Sequence, residues 1–521
     1  TPSYQKNSVN KMRDLRYDWY PIINEDFIDA HVDLVLEHLA ATTSTRGVTK
    51  EKALERTEQR KTIAKHLLSA LYFSYNSFSS KSKRTVSVSK TAHDYSESER
   101  HPEKIFYAYR SFKSVYDTML EFGWIKETLG EEGTGYTRIE PINEFKATLK
   151  SIGLKWVKQE PRPAESQIIL KDRIEKKKAG QHPKAPKKYE KFRLPTPVCD
   201  EAKAMAAKLY KYNDFITHHC IALNVSDEQL YEIGKSLAGN TKKNKNEDNY
   251  NHLDFSLVQL RRIFSRGSLS KGGRFYGGWW QSLPSIYRGH ITIDDYKTVE
   301  VDYSNMALRI VYAQKNIDVD KDKDLYDIGL NDWQGKDDPR RPHIKTFVNA
   351  LMNDDTGNFR LPKAEQSEIG ISHDELTKKV LETHKPIADS LVAGVGLDTQ
   401  FIDSQIAELV MHCMMNEGIL VLPIHDSFIV RLGFESLLRA TMESAFRKLT
   451  NVSISMETDS NRLAKHFGLS KEAFKAEEQR HKNDPRSGII NPSELDFDSL
   501  FKESLMVNYI RDWSGWRQAN L

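Results

Sequence analysis

Two aspartates and a short row of cations and amides hold the chemistry that this 521-residue sequence offers most plainly. Asp302 follows an apolar strand, Val299-Glu300-Val301, and a helical pattern begins directly after it in TVEVDYSNMALRIVYA, residues 298–313. An acid at the end of a buried strand is unfavourable unless a cation or a donor compensates it. Alone, its commoner role is to cap the helix that follows. Asp426 lies in GILVLPIHDSFIVRL, residues 418–432, where two apolar strands flank a tight His425-Asp426-Ser427 turn. That too is ordinary by itself, because turns favour Asp. The pair, 124 positions apart (302 to 426), reads differently. Two carboxylates offered from strand edges of one sheet can hold two Mg²⁺ ions roughly 3.5–4 Å apart, which stabilise the attacking and leaving oxygens of an in-line phosphoryl transfer. Oxygen ligands suit Mg²⁺, substrate phosphates would complete its shell, and Mn²⁺ is able to substitute.

Between the acids lies DPRRPHIKTFVNALMN, residues 338–353. Pro339 and Pro342 suit a helix start. Arg341, Lys345, Asn349 and Asn353 then recur every four residues, which the spacing places on one helical face. A solvated face is the plain alternative. Two cations followed by two amides, with no acid between them, make a better phosphate-facing stripe than a salt-bridged surface.

These segments, taken in order, resemble the three motifs of family A DNA polymerases and their relatives, the phage-type single-subunit RNA polymerases. The resemblance covers roughly residues 272–450. VDYSNMALR resembles the first motif, RRPHIK the fingers helix of the second, and PIHDSF the third. Upstream, Gly273-Arg274 and Gln281-Ser282-Leu283-Pro284 resemble the family's G-R and Q-x-x-P elements. The resemblance implies an α+β right-hand polymerase architecture, with an antiparallel palm sheet carrying both acids and helical fingers between about 313 and 417. It implies that Asp302 and Asp426 hold two metal ions, that Lys345 and Arg341 grip the triphosphate, and that His425 supports the primer terminus. Tyr303, Ala307, Asn349 and Asn353 would lie beside the nucleotide. Arg274 and Gln281 would contact the nascent duplex through its minor groove, and Arg309 would be a buried structural or template-side cation. The implied partners are a DNA template and primer with dNTPs, and NTPs as a second substrate class.

The sequence departs from that family in two places. The glutamate that usually follows the first aspartate by five residues, and helps to exclude the ribose 2′-hydroxyl, is replaced by Ala307. Asn349 and Asn353 stand where the family's fingers helix has aromatics. Both changes point to relaxed sugar selection. The G-R, Q-x-x-P and Y-S elements resemble the DNA enzymes, whereas His-Asp-Ser resembles the RNA enzymes, so DNA polymerase is the leading reading and RNA polymerase or primase the next. A DNA-binding replication protein with an inactive polymerase-like domain is the non-enzymatic alternative. A template-independent nucleotidyltransferase is another enzymatic class, against which Arg274 and Gln281 count. The first 250 residues contain no D-x-E of the kind that opens a proofreading site and no Walker loop, so neither an exonuclease nor an ATP-driven motor is expected.

The remainder of the chain must position this centre. Its length predicts two or three domains, and 39% hydrophobic residues suffice for packed cores. No apolar run reaches 18 residues and the N-terminus is polar, so neither a membrane span nor a signal peptide is expected. Three scattered cysteines, Cys199, Cys220 and Cys413, fit a reducing cytoplasm. Residues 1–60 read as a helical N-terminal segment, and 61–170 as a winged-helix-like unit. In the latter, a helix over 104–122 precedes a glycine-tipped hairpin of strands 124–127 and 136–139, and Arg110, Lys113 and Lys126 would touch DNA backbone. Residues 171–250 read as a basic linker and a helical region over about 198–237, 251–460 as the palm and fingers, and 461–521 as a tail, with Trp513 and Trp516, packing on the body. The net charge is only +4, yet the run from Lys171 to Arg193 holds ten Lys or Arg against three acids. Within it Lys176, Lys177, Lys178, Lys187 and Lys188 are candidates to follow a phosphate backbone, the alternative being a solvated linker.

Overall fold

The structure is a computed structural model that describes residues 20–458, apart from 45–46, 77–84, 96–106, 130–135, 176–188, 196, 240–252 and 355–358. Among the described residues the fold is mixed α+β with three sheets. The expected tail 461–521 and Lys176, Lys177, Lys178, Lys187 and Lys188 lie outside the described residues.

The N-terminal unit contains α1 (Asp26–Thr42), α2 (Lys50–Tyr75), β1 (Val86–Ser89), α3 (Tyr109–Glu121), β2 (Ile125–Thr128), β3 (Tyr136–Pro141) and α4 (Asn143–Ile152). Its three strands pair antiparallel in the order β1-β3-β2. The helix-then-hairpin arrangement matches the spacing seen in the sequence. The expected boundary at residue 60 falls inside α2, and one core joins Ile28, Val32 and Val35 of α1 to Leu67 and Leu71 of α2 and Phe112 of α3. A helix cannot be divided where its apolar face runs on unbroken, so residues 20–157 share one hydrophobic cluster. Arg110, Lys113 and Lys126 are exposed on this unit, and Lys113 already pairs with Asp117 at 2.5 Å.

The basic run is not a free linker at its described ends. β4 (Ile168–Glu175) and β5 (Tyr189–Arg193) pair antiparallel and join β7 (Arg261–Ser265) and β8 (Ser268–Tyr276) in the order β5-β4-β7-β8, with β4 and β7 parallel. The expected helix over 198–237 is also interrupted. α5 (Asp200–Ile216) and α6 (Asp227–Gly239) are separated by β6 (Ile221–Leu223), whose three buried residues add an edge to the central sheet.

That central sheet is antiparallel throughout. It comprises β6, β9 (Ile291–Ile293), β10 (Tyr296–Tyr303), β11 (Val421–Ile424), β12 (Ser427–Arg431) and β13 (Met456–Thr458). The order is β11-β12-β10-β9-β6, and β13 pairs with the far end of β10. α7 (Met306–Gln314), α8 (Arg341–Asn353), α9 (Lys363–Ile369), α10 (His373–Thr383) and α11 (Ala388–Leu391) enclose a separate core around Ile344, Phe347, Val348 and Leu376. The long α12 (Gly396–Asn416) and α13 (Glu435–Thr450) pack on the central sheet.

Ion pairs seat α12 on the second sheet. Arg262, with no exposed surface, pairs with Glu408, donates to Ser404 Oγ at 3.0 Å and to the Gly273 carbonyl at 2.9 Å. Close approach is possible because residue 273 is glycine. It has φ +80°, and a Cβ there would lie 2.7 Å from the Phe264 ring and 3.0 Å from Ser404 Oγ. Among the described residues no helix is long and apolar enough to cross a membrane. Arg262→Ala would leave buried Glu408 with Lys208, at 2.7 Å, as its remaining cation, so urea titration should show a loss of about 1–3 kcal/mol; a loss under about 0.5 kcal/mol would mean that the pair does not seat α12.

Candidate active site

The register of β10 against β12 brings the two expected acids together. Asp302 is opposite Ser427, and the two residues between the paired Ile424 and Ser427 are His425 and Asp426. The hairpin therefore has a two-residue turn, and His425 adopts the positive φ, +59°, that primed turns require. The Tyr303 amide donates to the Asp426 carbonyl at 3.2 Å, fixing the tip of the hairpin beside the end of β10. On the other side of β10, Asp302 is opposite Glu457 of β13.

Asp302 Oδ1 is enclosed and has no hydrogen-bond partner. Burial holds its carboxyl well above the usual aspartate range. The Asp426 charge adds to the rise, and Lys345 opposes it. An enclosed, unpartnered carboxylate oxygen beside a second carboxylate is a fit for a hard divalent cation. Among the described residues no three Asp, Glu, His or Cys side chains cluster as a metal group, so the protein would supply two carboxylates and leave the other positions to water and phosphate oxygens.

Several polar groups support this pair. Ser427 Oγ donates to Glu300 Oε1 at 2.6 Å, and Arg288 holds the same oxygen at 3.0 Å. Glu457 accepts from Ser304 Oγ at 2.9 Å and pairs with Lys336. The His425 ring meets Tyr276 edge-on at 5.3 Å. Burial, followed by the Arg274 charge, pushes His425 down to about 4, so the imidazole is neutral near pH 7.

The expected cation row divides. Lys345 lies near enough to oppose the Asp302 shift. Arg341 donates to both Asp324 oxygens, at 2.8 and 3.0 Å, and stacks over the Tyr326 ring at 5.2 Å. Asn353 does not share their face. Each four-residue step overshoots a 3.6-residue turn by about 40°, so Asn353 is about 120° around and about 18 Å along the helix from Arg341. Its Nδ2 donates to the Asn349 carbonyl at 2.7 Å, and its amide fills the space above Gly396, where a Cβ would lie 2.1 Å from Oδ1. Asn349 is partly buried on the same helix, and Ala307 packs against the core beneath it.

Two further residues, Tyr303 and Gln281, are placed differently from the expectation, and a third, Arg309, narrows it. Tyr303 alternates with Asp302 on the strand and so faces the opposite side of the sheet. It is buried against Phe428 and Phe446, and its hydroxyl donates to the Met442 carbonyl at 2.6 Å. Arg309 is buried and donates to the carbonyls of Ser304, Val319, Asp320, Lys321 and Lys323. Of its two expected roles, the structural one fits. Gln281 uses its amide to donate to the Phe275 and Pro423 carbonyls, each at 3.0 Å, and to accept from the Gly277 amide. It fastens β8 to β11, which leaves its side chain committed within the protein.

Sequence reasoning missed Asp403 on α12. Arg274 donates to its Oδ2 from Nε at 2.6 Å and from Nη2 at 2.5 Å. Burial raises the Asp403 carboxyl to about 6, with Arg274 opposing and Asp426 adding to the rise. Tyr326 was missed as well. It is buried, and burial followed by the Asp426 charge raises its hydroxyl above the usual tyrosine range. The signal for Asp403 was an acid at helical spacing with Ile406, Ala407 and Val410, 20 residues ahead of the third motif (403 to 423); Tyr326 carried none.

A carboxyl whose pKa is raised by folding gives stability that is complete below the unfolded value, about 3.9, and is lost as pH climbs through the folded value. Asp302 and Asp403 both have this sign. Asp302→Asn, with no charge to bury, should stabilise the metal-free protein at pH 8 by about 0.5–2 kcal/mol in denaturant titrations. The gain should shrink at pH 5. A variant weaker than wild type at pH 8 would contradict the burial argument.

No family model matches this chain, and no curated protein matches it. Among solved structures it is similar to one described as the POL domain of Pol1 from M. smegmatis in complex with DNA primer-template and dNTP. The identity is 12%, the match covers 50% of this chain and 51% of that one, and the TM-score is 0.28. The chain thus matches about half the length of that structure, and a likeness of this size carries no argument by itself.

Proposed function

We propose that this chain extends a nucleic-acid primer by template-directed nucleotidyl transfer, as a family A-like polymerase, with DNA as the leading template and product. One observation carries the reading: two carboxylates remote in sequence, Asp302 and Asp426, meet at adjacent strand ends with an unpartnered, enclosed oxygen, and Lys345 approaches from α8. In this reading the central sheet is the palm and the α7–α11 layer the fingers. Asp302 and Asp426 would hold Mg²⁺, which supplies charge neutralisation for the triphosphate and activation of the primer hydroxyl. Lys345 would contact the phosphates as a point charge, and Arg341 would do so by exchanging Asp324 for a phosphate. Neutral His425 at the hairpin and Arg274 on β8 would meet the primer end. The N-terminal unit, with exposed Arg110 and Lys126, would be a second contact to nucleic-acid backbone.

Ala307 on the first turn of α7 leaves no acidic wall against a ribose 2′-hydroxyl. Losing a specific steric or polar contact of that kind is worth about 1–3 kcal/mol. Weak sugar selection is therefore part of the reading, and RNA synthesis or priming is its nearest variant.

Primer extension with each nucleotide class tests both points. Asp302→Ala and Asp426→Ala should each lower the rate at least about a thousandfold, roughly 4 kcal/mol of barrier; unchanged extension would show that the activity comes from elsewhere and leave a binding protein. Wild type should prefer dNTPs to NTPs by no more than about a hundredfold, and exclusive use of dNTPs would end the relaxed-selection reading. Incorporation that ignores template sequence would favour a template-independent transferase.

A further inference from the structure

Arg274 is caught between two carboxylates. Among the described residues its side chain is hydrogen-bonded to Asp403, and the Asp426 charge also acts on it. Asp403 is 2% exposed, and both Arg274 donors fall on its Oδ2, while Oδ1 is enclosed without a partner. The anchor is rigid. α12 is held on the same sheet by Lys271–Asp398 before Asp403 and by Arg262–Glu408 after it. On the strand side, the Gly273 backbone brings Arg274 close to the helix. A guanidinium left free in this position would be drawn to Asp426, the second acid whose charge acts on it, in a charge-assisted pair. Such a pair would occupy the oxygens that a cation needs.

We propose that Asp403 is a positioning residue that tethers the Arg274 guanidinium and keeps it off Asp426, so that Asp426 remains open to a divalent cation. The role rests on the metal-site reading of Asp302 and Asp426. It assigns to α12 a part in metal binding through a residue that touches no metal. Loss of the tether should therefore act through Arg274 alone, which an ordinary structural ion pair would not require.

Mn²⁺ uptake by the full chain without substrate, followed by electron paramagnetic resonance, tests this apart from catalysis. Asp403→Asn should weaken Mn²⁺ binding roughly tenfold, the scale on which groups behind a metal's ligands act. Adding Arg274→Gln to that variant should restore affinity to within about twofold of wild type, and Asp403→Glu should retain it. Binding by Asp403→Asn equal to wild type would overturn the role, and so would a double variant as weak as the single one. Should Asp403→Asn fail to fold, the double variant, which removes both buried charges, still decides: affinity roughly tenfold below wild type would overturn the tether. A wild type that takes up no Mn²⁺, or that keeps it in Asp302→Asn and Asp426→Asn, would instead overturn the metal-site reading itself.

Discussion

Two like charges held together away from water repel each other and are poorly solvated, and folding normally avoids that arrangement. Here the β10–β12 register enforces it. Once Val301 pairs with Phe428 and Ile424 with Ser427, Asp426 has no place except the hairpin tip beside Asp302. The register in turn is held by an apolar set, Val299, Val301, Val421, Phe428 and Val430, all almost fully buried. A slip of one residue would turn that set to the opposite face, the one that carries Glu300 and Asp302. The hydrophobic pattern thus supplies the force, and the carboxylate pair absorbs the strain.

Around that pair, cations come from elements distant in sequence. Lys345 arrives on α8, Arg274 on β8 and Arg288 just before β9. Each is limited by a partner of its own or by distance, so the acids are flanked but not neutralised. Glu300 takes up Arg288, Asp324 takes up Arg341, and Asp403 takes up Arg274. The outcome is a site at which Arg274, Arg288 and Arg341 are already ordered by acids of the protein itself.

How much of this could be read from the residues depends on the range of the interaction. Asp302 and Asp426 were legible because strand alternation and turn chemistry are local, and the helix around Arg341 and Lys345 was legible from its prolines and period. The extrapolation to Asn353 failed for a local reason, the accumulated 40° drift per step. Tyr303 failed because adjacent strand residues face opposite sides. Asp403 is different in kind: its importance comes from Arg274, 129 positions away, and no spacing rule joins them. The β4–β5 ribbon was hidden for the same reason, since its charged composition resembles a linker until β7 is found beside β4.

Arg309 is the point at which the molecule turns an acidic stretch into a fixed support. The segment 318–324 alternates aspartates with other residues, a composition that elsewhere folds around calcium. In this chain a guanidinium occupies the middle and gathers the carbonyls of Val319, Asp320, Lys321 and Lys323, while Asp324 reaches out to Arg341. The loop thereby has a covalently attached counter-ion. Its shape is set by a side chain of the protein itself, and the orientation of Arg341 is inherited, through Asp324, from the loop that Arg309 gathers.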